Sequence, residues 1–195
     1  VRFEYNPATN RLQSPVSICD TLPGSQDHNS QRMIIAPMTQ GGSDYYLFYA
    51  SGDMGAGQQF PALNVTRPMK SPLINSYEGK ILRFALSDTC SGSGNQRWIP
   101  DSNPYNNVAP IVGKSAVWSI GMRNNQGFAY NAAQNILYGS SHGAFSDDEI
   151  NIIEPFKHYG HPFVQGYAAD GNYNGNSATG TPTSISAGAP WGSGL

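Results

Sequence analysis

The stretch Lys80-Ile81-Leu82-Arg83-Phe84-Ala85-Leu86 says most about the fold of this chain. Its apolar residues alternate with polar or small ones, which predicts a β-strand rather than a helix. The tyrosine-rich run Tyr45-Tyr46-Leu47-Phe48-Tyr49 predicts a second strand, with both faces buried. Two such runs indicate a protein whose core is built from sheets.

Similar runs recur on both sides of these two, with turn-forming residues between them. No segment keeps a helical apolar period over three turns. The 22 glycines and 14 prolines, together with few lysines, glutamates and leucines, favour short strands joined by turns. We therefore predict an all-β fold. The strand candidates cover residues 2–5, 32–36, 45–50, 80–86, 116–122, 127–131, 136–141 and 149–154.

The strand order leaves three all-β architectures open, namely a propeller, a sandwich and an irregular barrel. Long polar insertions at residues 58–77 and 88–114 separate some of the strands. In a propeller, the loops of successive blades converge on a central channel, so residues distant in sequence meet there. The insertions suit that arrangement, but composition does not choose among the three.

The charge balance argues against some classes of partner. With 11 basic and 13 acidic residues among 195, the chain is near neutral. Neither nucleic acid nor an anionic membrane surface is therefore expected as the main partner. No apolar run is long enough to cross a bilayer.

Both ends of the chain look cut. The first five residues already alternate like a strand, whereas residues 177–195 are rich in glycine, serine, threonine and proline. We expect residues 1–176 to form the folded part and residues 177–195 an irregular tail or the start of an insertion. The whole is expected to be a processed or excised part of a longer protein.

Cys19 and Cys90 are two isolated thiols without metal-ligand spacing. We expect both to be free and buried. Pairing in an oxidising compartment stays open, because the sequence alone does not decide it.

Asp27-His28 and Asp53 form the first candidate site. His28 precedes the strand at residues 32–36, and Asp53 follows the strand at residues 45–50. If these strands are neighbours, their loops bring the Asp53 carboxylate onto the imidazole ring. The carboxylate would fix the tautomer of a histidine that accepts a proton near neutral pH. Alternatively, His28 caps a turn and Asp53 makes a local turn hydrogen bond.

Gly121-Met122-Arg123-Asn124-Asn125-Gln126-Gly127 forms the second candidate site, between two strand-like runs. A guanidinium fork flanked by amides, on a turn where glycine permits close approach, suits a planar, oxygen-rich anion. The alternative is a tight turn with solvated polar residues.

Residues 140–149 form the third candidate site and end in the acidic run Asp147-Asp148-Glu149. Calcium prefers oxygen ligands, but the alternating ligands of an EF-hand loop are absent from this run. Main-chain carbonyls around Gly143 could still hold calcium. The alternative is a solvated turn that leads into the next strand.

His158 and His161 are three residues apart, a spacing that can indicate a metal site. No third ligand stands near them in the sequence, and Pro162 opposes the helix that would place both on one face. We therefore expect packing or surface side chains.

Several short runs, taken in order and spacing, carry a resemblance to a known family. They are Leu22-Pro23 with Asp27-His28-Asn29-Ser30, Gly52-Asp53, Tyr77-Glu78-Gly79-Lys80-Ile81-Leu82-Arg83, residues 121–127, residues 146–151, and Tyr159-Gly160-His161-Pro162 with Gly166-Tyr167. Together they resemble the soluble quinoprotein glucose dehydrogenases and the related aldose or sorbosone dehydrogenases. The likeness runs from about residue 1 to residue 173 and covers the middle of the family's chain. It implies blades of a six-bladed β-propeller that uses pyrroloquinoline quinone (PQQ) and calcium.

The resemblance also implies roles on the sugar side of the site. His28 would be the general base that draws the proton from the anomeric hydroxyl, and Asp53 would orient it. Asp27 and Gln58 fall where the family contacts sugar.

On the cofactor side, Arg123, Asn124 and Gln126 fall where the family holds the quinone, and Arg123 would also stabilise charge on its reacting oxygen. His142 stands where a glutamine that touches the cofactor is usual. The main-chain oxygens of Gly143 and Ala144 fall at the cofactor's calcium. Those of Gln165 and Tyr167 fall near a second, structural calcium.

These implications predict a PQQ- and calcium-dependent dehydrogenase that oxidises the C1 hydroxyl of an aldose to the lactone. Its expected partners are the sugar and an external electron acceptor, its expected address is periplasmic or secreted, and the family allows a homodimer. One alternative is a non-catalytic propeller module that binds carbohydrate or protein, with a decayed quinone site. Another is an unrelated all-β structural domain.

Overall fold

The computed structural model describes residues 1–37, 44–56, 59–60, 65–66, 68–143 and 148–162. These residues contain eleven strands and one short 3-10 helix, Gly94–Trp98. The strands are β1 (Arg2–Asn6), β2 (Arg11–Val16), β3 (Ser30–Pro37), β4 (Tyr45–Ser51), β5 (Gln59–Phe60), β6 (Val65–Thr66), β7 (Lys80–Ala85), β8 (Val117–Ile120), β9 (Asn125–Asn131), β10 (Ile136–Ser141) and β11 (Glu149–Ile152). Within the described part of the chain, no helix is long and apolar enough to span a membrane.

The largest sheet is an antiparallel meander of four strands in the order β3-β4-β7-β8. Phe48 lies opposite Ile34 on one side and Arg83 on the other. Ile81 and Leu82 are both fully buried although their side chains point to opposite faces. This sheet is therefore covered by a separate apolar core on each face.

The first core joins the large sheet to the antiparallel three-stranded sheet β9-β10-β11. Phe48 and Trp118 meet edge to face, with ring centroids 5.7 Å apart. Leu137 and Ile153 close the core from the second sheet and are each 2% exposed. Two consecutive meanders thus stand against each other, as blades do in a propeller.

The second core lies on the other face of the large sheet. Trp98, Ile99 and Tyr105, from the polar insertion at residues 88–114, are buried there. The Asn103 amide donates to the carbonyls of Arg83 in β7 and of Ser115, two residues before β8, which secures the insertion to the sheet. The insertion is thus a packed cover for the sheet.

All eight predicted strands occur, with ends that differ by a few residues. The sequence missed three strands: β2 and the two-residue strands β5 and β6, which lie in the predicted polar insertion at residues 58–77. β2 pairs with β1 as a hairpin and has almost no burial to impose an alternating pattern. The predicted burial of both faces of β4 was wrong at Tyr45, which is 52% exposed at the strand end.

Both cysteines are free, as predicted, but they are half-buried rather than buried. The predicted tail at residues 177–195 lies outside the described residues.

Candidate active site

Four loops gather at one end of the two sheets. They precede β3, follow β4, connect β8 to β9 and follow β10. Main-chain hydrogen bonds join them, because the Asp53 N–H donates to the Arg123 carbonyl at 2.8 Å and the His142 N–H donates to the Asn124 carbonyl at 3.0 Å. The three candidate regions of the sequence therefore share one neighbourhood.

His28 and Asp53 are in direct contact. Since β3 and β4 are neighbours, the flanking loops place His28 Nδ1 2.7 Å from Asp53 Oδ1. His28 has a φ of 47°, a left-handed conformation that costs about 1 kcal/mol or more in a non-glycine residue. The Asp27 carboxylate stabilises this turn by accepting the His28 N–H at 2.8 Å.

A glycine is needed where the two loops touch. A Cβ on Gly52 would lie 1.7 Å from the carbonyl oxygen of His28. Asp53 also makes the local turn bond of the alternative interpretation, because Oδ1 accepts the Gly55 N–H at 3.0 Å. The structure thus contains both arrangements, and the local bond fixes the carboxylate that holds His28.

His161 is the residue that sequence reasoning missed. It is 2% exposed, and its Nε2 lies 2.8 Å from Asp53 Oδ2, the carboxylate oxygen that His28 does not use. The expectation of a packing or surface side chain was right about burial but overlooked this contact. No spacing in the sequence signals it, because residues 157–161 reach the site through a parallel bridge between Ile120 and His158.

The two histidines decide the charge of Asp53. Burial alone would raise the pKa of this carboxyl, but hydrogen bonds from His161 and His28 outweigh burial and lower it to about 2. Burial lowers the pKa of His161 in turn, although Asp53 opposes that effect. Near neutral pH the cluster therefore holds an ionised Asp53 and a neutral His161 whose Nε2 faces Oδ2.

An open cavity of about 470 Å³ lies beside His28. Its walls are residues 26–32 on one side and Asn124 and Gln126 on the other. Ser30 donates to the Asn124 side chain at 2.9 Å, and the Arg32 Nε donates to the Gln126 carbonyl at 2.7 Å. Two hydrogen bonds thus join the walls, and the predicted sugar-contact residue Asp27 faces the same space.

Arg123, which directly precedes the cavity residue Asn124 in the chain, is 2% exposed. Its Nη1 donates to the carbonyl of Gly143 at 2.7 Å and to that of His142 at 3.1 Å, and lies 3.1 Å from His142 Nδ1. The Gly143 N–H is held by the Asp148 carboxylate at 2.8 Å. Asp148 is therefore a loop anchor, a role that the sequence did not indicate.

These groups fit the cofactor and the metal that the sequence resemblance implies. Of the two predicted ligands of the cofactor's calcium, the Gly143 carbonyl lies within the described residues; it is an oxygen donor of the kind that calcium prefers, and in this structure it accepts from Arg123 Nη1 at 2.7 Å. Asn124 and Gln126 present amides to the open cavity, and the guanidinium of the neighbouring residue Arg123 is a donor type that suits a planar anion. Among the described residues, no group of three or more His, Cys, Asp or Glu side chains could hold a metal ion.

Four predicted site residues, Gln58, Ala144, Gln165 and Tyr167, lie outside the described residues. The structure brings the other predicted site residues into one region. They are Asp27, His28, Asp53, Arg123, Asn124, Gln126, His142 and Gly143.

Adjacent meander sheets with their loops gathered at one end define part of an all-β propeller, as predicted. The chain belongs to the glucose/sorbosone dehydrogenase family, whose model matches residues 1–191. The resemblance drawn from the sequence is confirmed at the level of the family.

The relatives of this chain are longer proteins. It is 34% identical over 181 residues to quinoprotein glucose dehydrogenase B of Acinetobacter calcoaceticus. This match covers 88% of this chain and 34% of the relative. The apo form of the soluble aldose sugar dehydrogenase of Escherichia coli matches with a TM-score of 0.60 and 26% identity, over 84% of this chain and 40% of that one.

A PQQ-bound aldose sugar dehydrogenase from Streptomyces coelicolor matches with a TM-score of 0.56 and 25% identity, over 87% of this chain and 42% of that one. The chain therefore spans between a third and a half of the length of these relatives.

Proposed function

We propose that the protein containing this chain is a dehydrogenase that oxidises the C1 hydroxyl of an aldose to the lactone. The observation that carries the proposal is the hydrogen bond between His28 and the buried Asp53, beside a cavity that also presents Asn124 and Gln126. Membership of the glucose/sorbosone dehydrogenase family supports it. PQQ, when bound, would supply the acceptor for the hydride that leaves C1.

His28 would act as the general base. With Nδ1–H donated to Asp53, its Nε2 is the nitrogen left to take the proton of the sugar hydroxyl. The ionised Asp53 favours the imidazolium that forms. Nε2 also lies 3.5 Å from the Asp27 carboxylate, so a proton bound to Nε2 would be close to a second negative charge.

The quinone would be held by Arg123, Asn124, Gln126 and His142, and calcium by the main-chain oxygens of Gly143 and Ala144. The name quinoprotein borne by one relative and the PQQ-bound state of another support this cofactor. Calcium would polarise the quinone as a Lewis acid. The second calcium at Gln165 and Tyr167 stays a prediction, as does the contact of Gln58 with sugar.

An external electron acceptor and a periplasmic or secreted address belong to the same proposal. Both follow from the resemblance alone. The resemblance also allows a homodimer.

A second candidate is a non-catalytic propeller module. The observation that favours it is the hydrogen bond from Arg123 to the carbonyl of Gly143, because that oxygen is the predicted calcium ligand. An arginine that hydrogen-bonds a predicted calcium ligand is expected in a site that no longer binds the cofactor. His142, in place of the glutamine usual in the family, is also expected in such a site.

The test uses the longest natural chain that contains this segment, with PQQ and calcium added, and follows glucose-dependent reduction of a dye. His28→Ala should lower kcat by about a hundredfold or more while quinone binding persists, since a general base contributes that much. A chelator should abolish turnover as well. If the wild-type protein binds no quinone and oxidises none of several aldoses, the binding module is the better conclusion.

A further inference from the structure

We propose that His161 is a positioning residue for the general base: it holds one oxygen of the Asp53 carboxylate so that the other stays on His28. The inference rests on the proposed function, in which His28 is that base. His161 itself contacts neither the cavity nor a reacting atom in this arrangement. It would act only through Asp53.

The geometry of the carboxylate supports this role. His161 Nε2 lies 2.8 Å from Oδ2, and His28 Nδ1 lies 2.7 Å from Oδ1. Oδ1 also accepts the N–H of Gly55, and the Asp53 main chain is bonded to Arg123. The Asp53 side chain is completely enclosed, with 0% exposure. A rotation of the carboxylate would therefore break contacts on both of its oxygens, with no water to replace them.

Main-chain hydrogen bonds fix the position of His161. The His161 N–H donates to the Gly121 carbonyl at 3.0 Å, and the Tyr159 N–H donates to the Ile120 carbonyl at 3.0 Å. Residues 159–161 are thus fixed to the end of β8, directly before Arg123. The same turn that carries Arg123 toward the cofactor side therefore also sets where His161 stands.

The charges around Asp53 agree with the proposed role. The titratable side chains that act on Asp53 are His161 and His28, and the pKa of His161 is in turn affected by Asp53, Arg123 and His28. After burial, which raises the pKa of Asp53, the hydrogen bond from His161 is the largest influence, and it lowers that pKa. Without His161, Oδ2 would be a buried carboxylate oxygen that has lost its donor.

A merely structural histidine would fill space beside Asp53 without controlling it. His158 provides the comparison, because it lies in the same segment, packs against Gly121, and accepts the Gly160 N–H at 3.0 Å. Its removal should destabilise the segment in the same way as removal of His161. Only the replacement of His161 should change the pKa of Asp53 and the tautomer of His28.

The experiment compares His161→Phe, His161→Gln and His158→Phe in the full natural protein. Phenylalanine fills the space without a donor, whereas glutamine keeps an N–H that can reach Oδ2. Carboxyl-carbon NMR follows the titration of Asp53, and imidazole-nitrogen NMR reports which ring nitrogen of His28 carries the proton. Dye reduction separates kcat from KM.

For His161→Phe we expect the pKa of Asp53 to rise by about one unit. The His28 ring should lose its single Nδ1–H tautomer, and kcat should fall about tenfold with KM nearly unchanged, because the base is misplaced. His161→Gln should recover most of each change, and His158→Phe should show none of them. If His161→Phe leaves the Asp53 titration and the His28 tautomer as in the wild type, the proposal is wrong.

The two proposals can fail separately. A wild-type protein with no dehydrogenase activity overturns the proposed function. The NMR measurements need no turnover, so they still decide whether His161 holds Asp53 in position.

Discussion

Asp53 is the residue that connects the two histidines of the site. Its carboxylate is enclosed and ionised, and its two oxygens lie 2.7 Å from His28 Nδ1 and 2.8 Å from His161 Nε2. The contact with His28 could be predicted, because the two residues flank strands that are neighbours in sequence as well as in the sheet. The contact with His161 could not, because it depends on a bridge to β8 from a segment far along the chain.

The state of Asp53 has a consequence for stability at low pH. Its pKa falls from an ordinary value of 3.8 to about 2 in the folded chain. Since the folded pKa is the lower one, the ionised carboxylate stabilises the fold above about pH 4, and this contribution is lost as the pH falls toward about 2. The full contribution is about 2 kcal/mol.

Asp53→Asn should therefore be less stable than the wild type by about 2 kcal/mol near neutral pH. The difference should shrink as the pH falls from about 4 to about 2. Urea unfolding at a series of pH values measures it. A difference that stays constant down to pH about 2 would show that the ionised state of Asp53 is not what stabilises the site.

At the scale of elements, the start of β7 anchors the turn that carries Arg123. The side-chain nitrogen of Lys80 is buried and donates to the carbonyls of Lys70, Ser71 and Glu78 at 2.9, 2.7 and 2.5 Å. The Ser71 carbonyl also accepts the Gly121 N–H at 2.9 Å. Lys80 thus fixes the segment on which the Gly121 turn rests.

Lys80→Met should lower the free energy of unfolding by about 3 kcal/mol, because one buried and two partly buried carbonyls lose their shared donor. Lys70→Met is the matched control, since Lys70 makes a half-exposed ion pair with Glu78. Its loss should cost less than about 1 kcal/mol. Chemical denaturation of both variants measures the contrast, and equal losses would contradict the anchoring role of Lys80.

The strands were predictable where burial imposes an alternating pattern, as in β10, and where a short run is mostly apolar because both faces are buried, as in β7. The hairpin partner β2 was not, because exposed side chains carry no such pattern. The insertion at residues 88–114 reads as polar, yet the few apolar side chains within it, Trp98, Ile99 and Tyr105, suffice to cover the sheet. Scattered apolar residues in a loop give no period from which this packing could be inferred.

At the scale of the whole molecule, the chain matches only part of each relative. Composition left propeller, sandwich and barrel open, because the choice depends on how the three-stranded sheet packs against the large one. Among the described residues, β11 pairs only with β10 and exposes Ile150 and Ile152 by 75% and 50%. Such a strand offers an edge to another chain.

The polypeptide of residues 1–195 should therefore self-associate in solution when it is made alone. Replacing Ile150 and Ile152 by lysine should reduce that association, because charges on an edge strand oppose pairing. Val112→Lys is the control, as Val112 is 96% exposed but lies outside any strand. Sedimentation velocity measures the change; a Val112 variant that dissociates equally well would point to net charge instead of the edge.

The hydrogen bond from the Asp53 N–H to the Arg123 carbonyl has a consequence for how this site evolves. This one hydrogen bond joins Asp53, which would orient the general base, to Arg123, which would bind the cofactor. Substitutions that shift either backbone are then epistatic, with combined effects that differ from the sum of the separate ones. Relatives in which the sugar-binding residues change are therefore expected to differ in their cofactor-binding residues as well. Exchanging only one of the two sets between relatives is expected to impair the site.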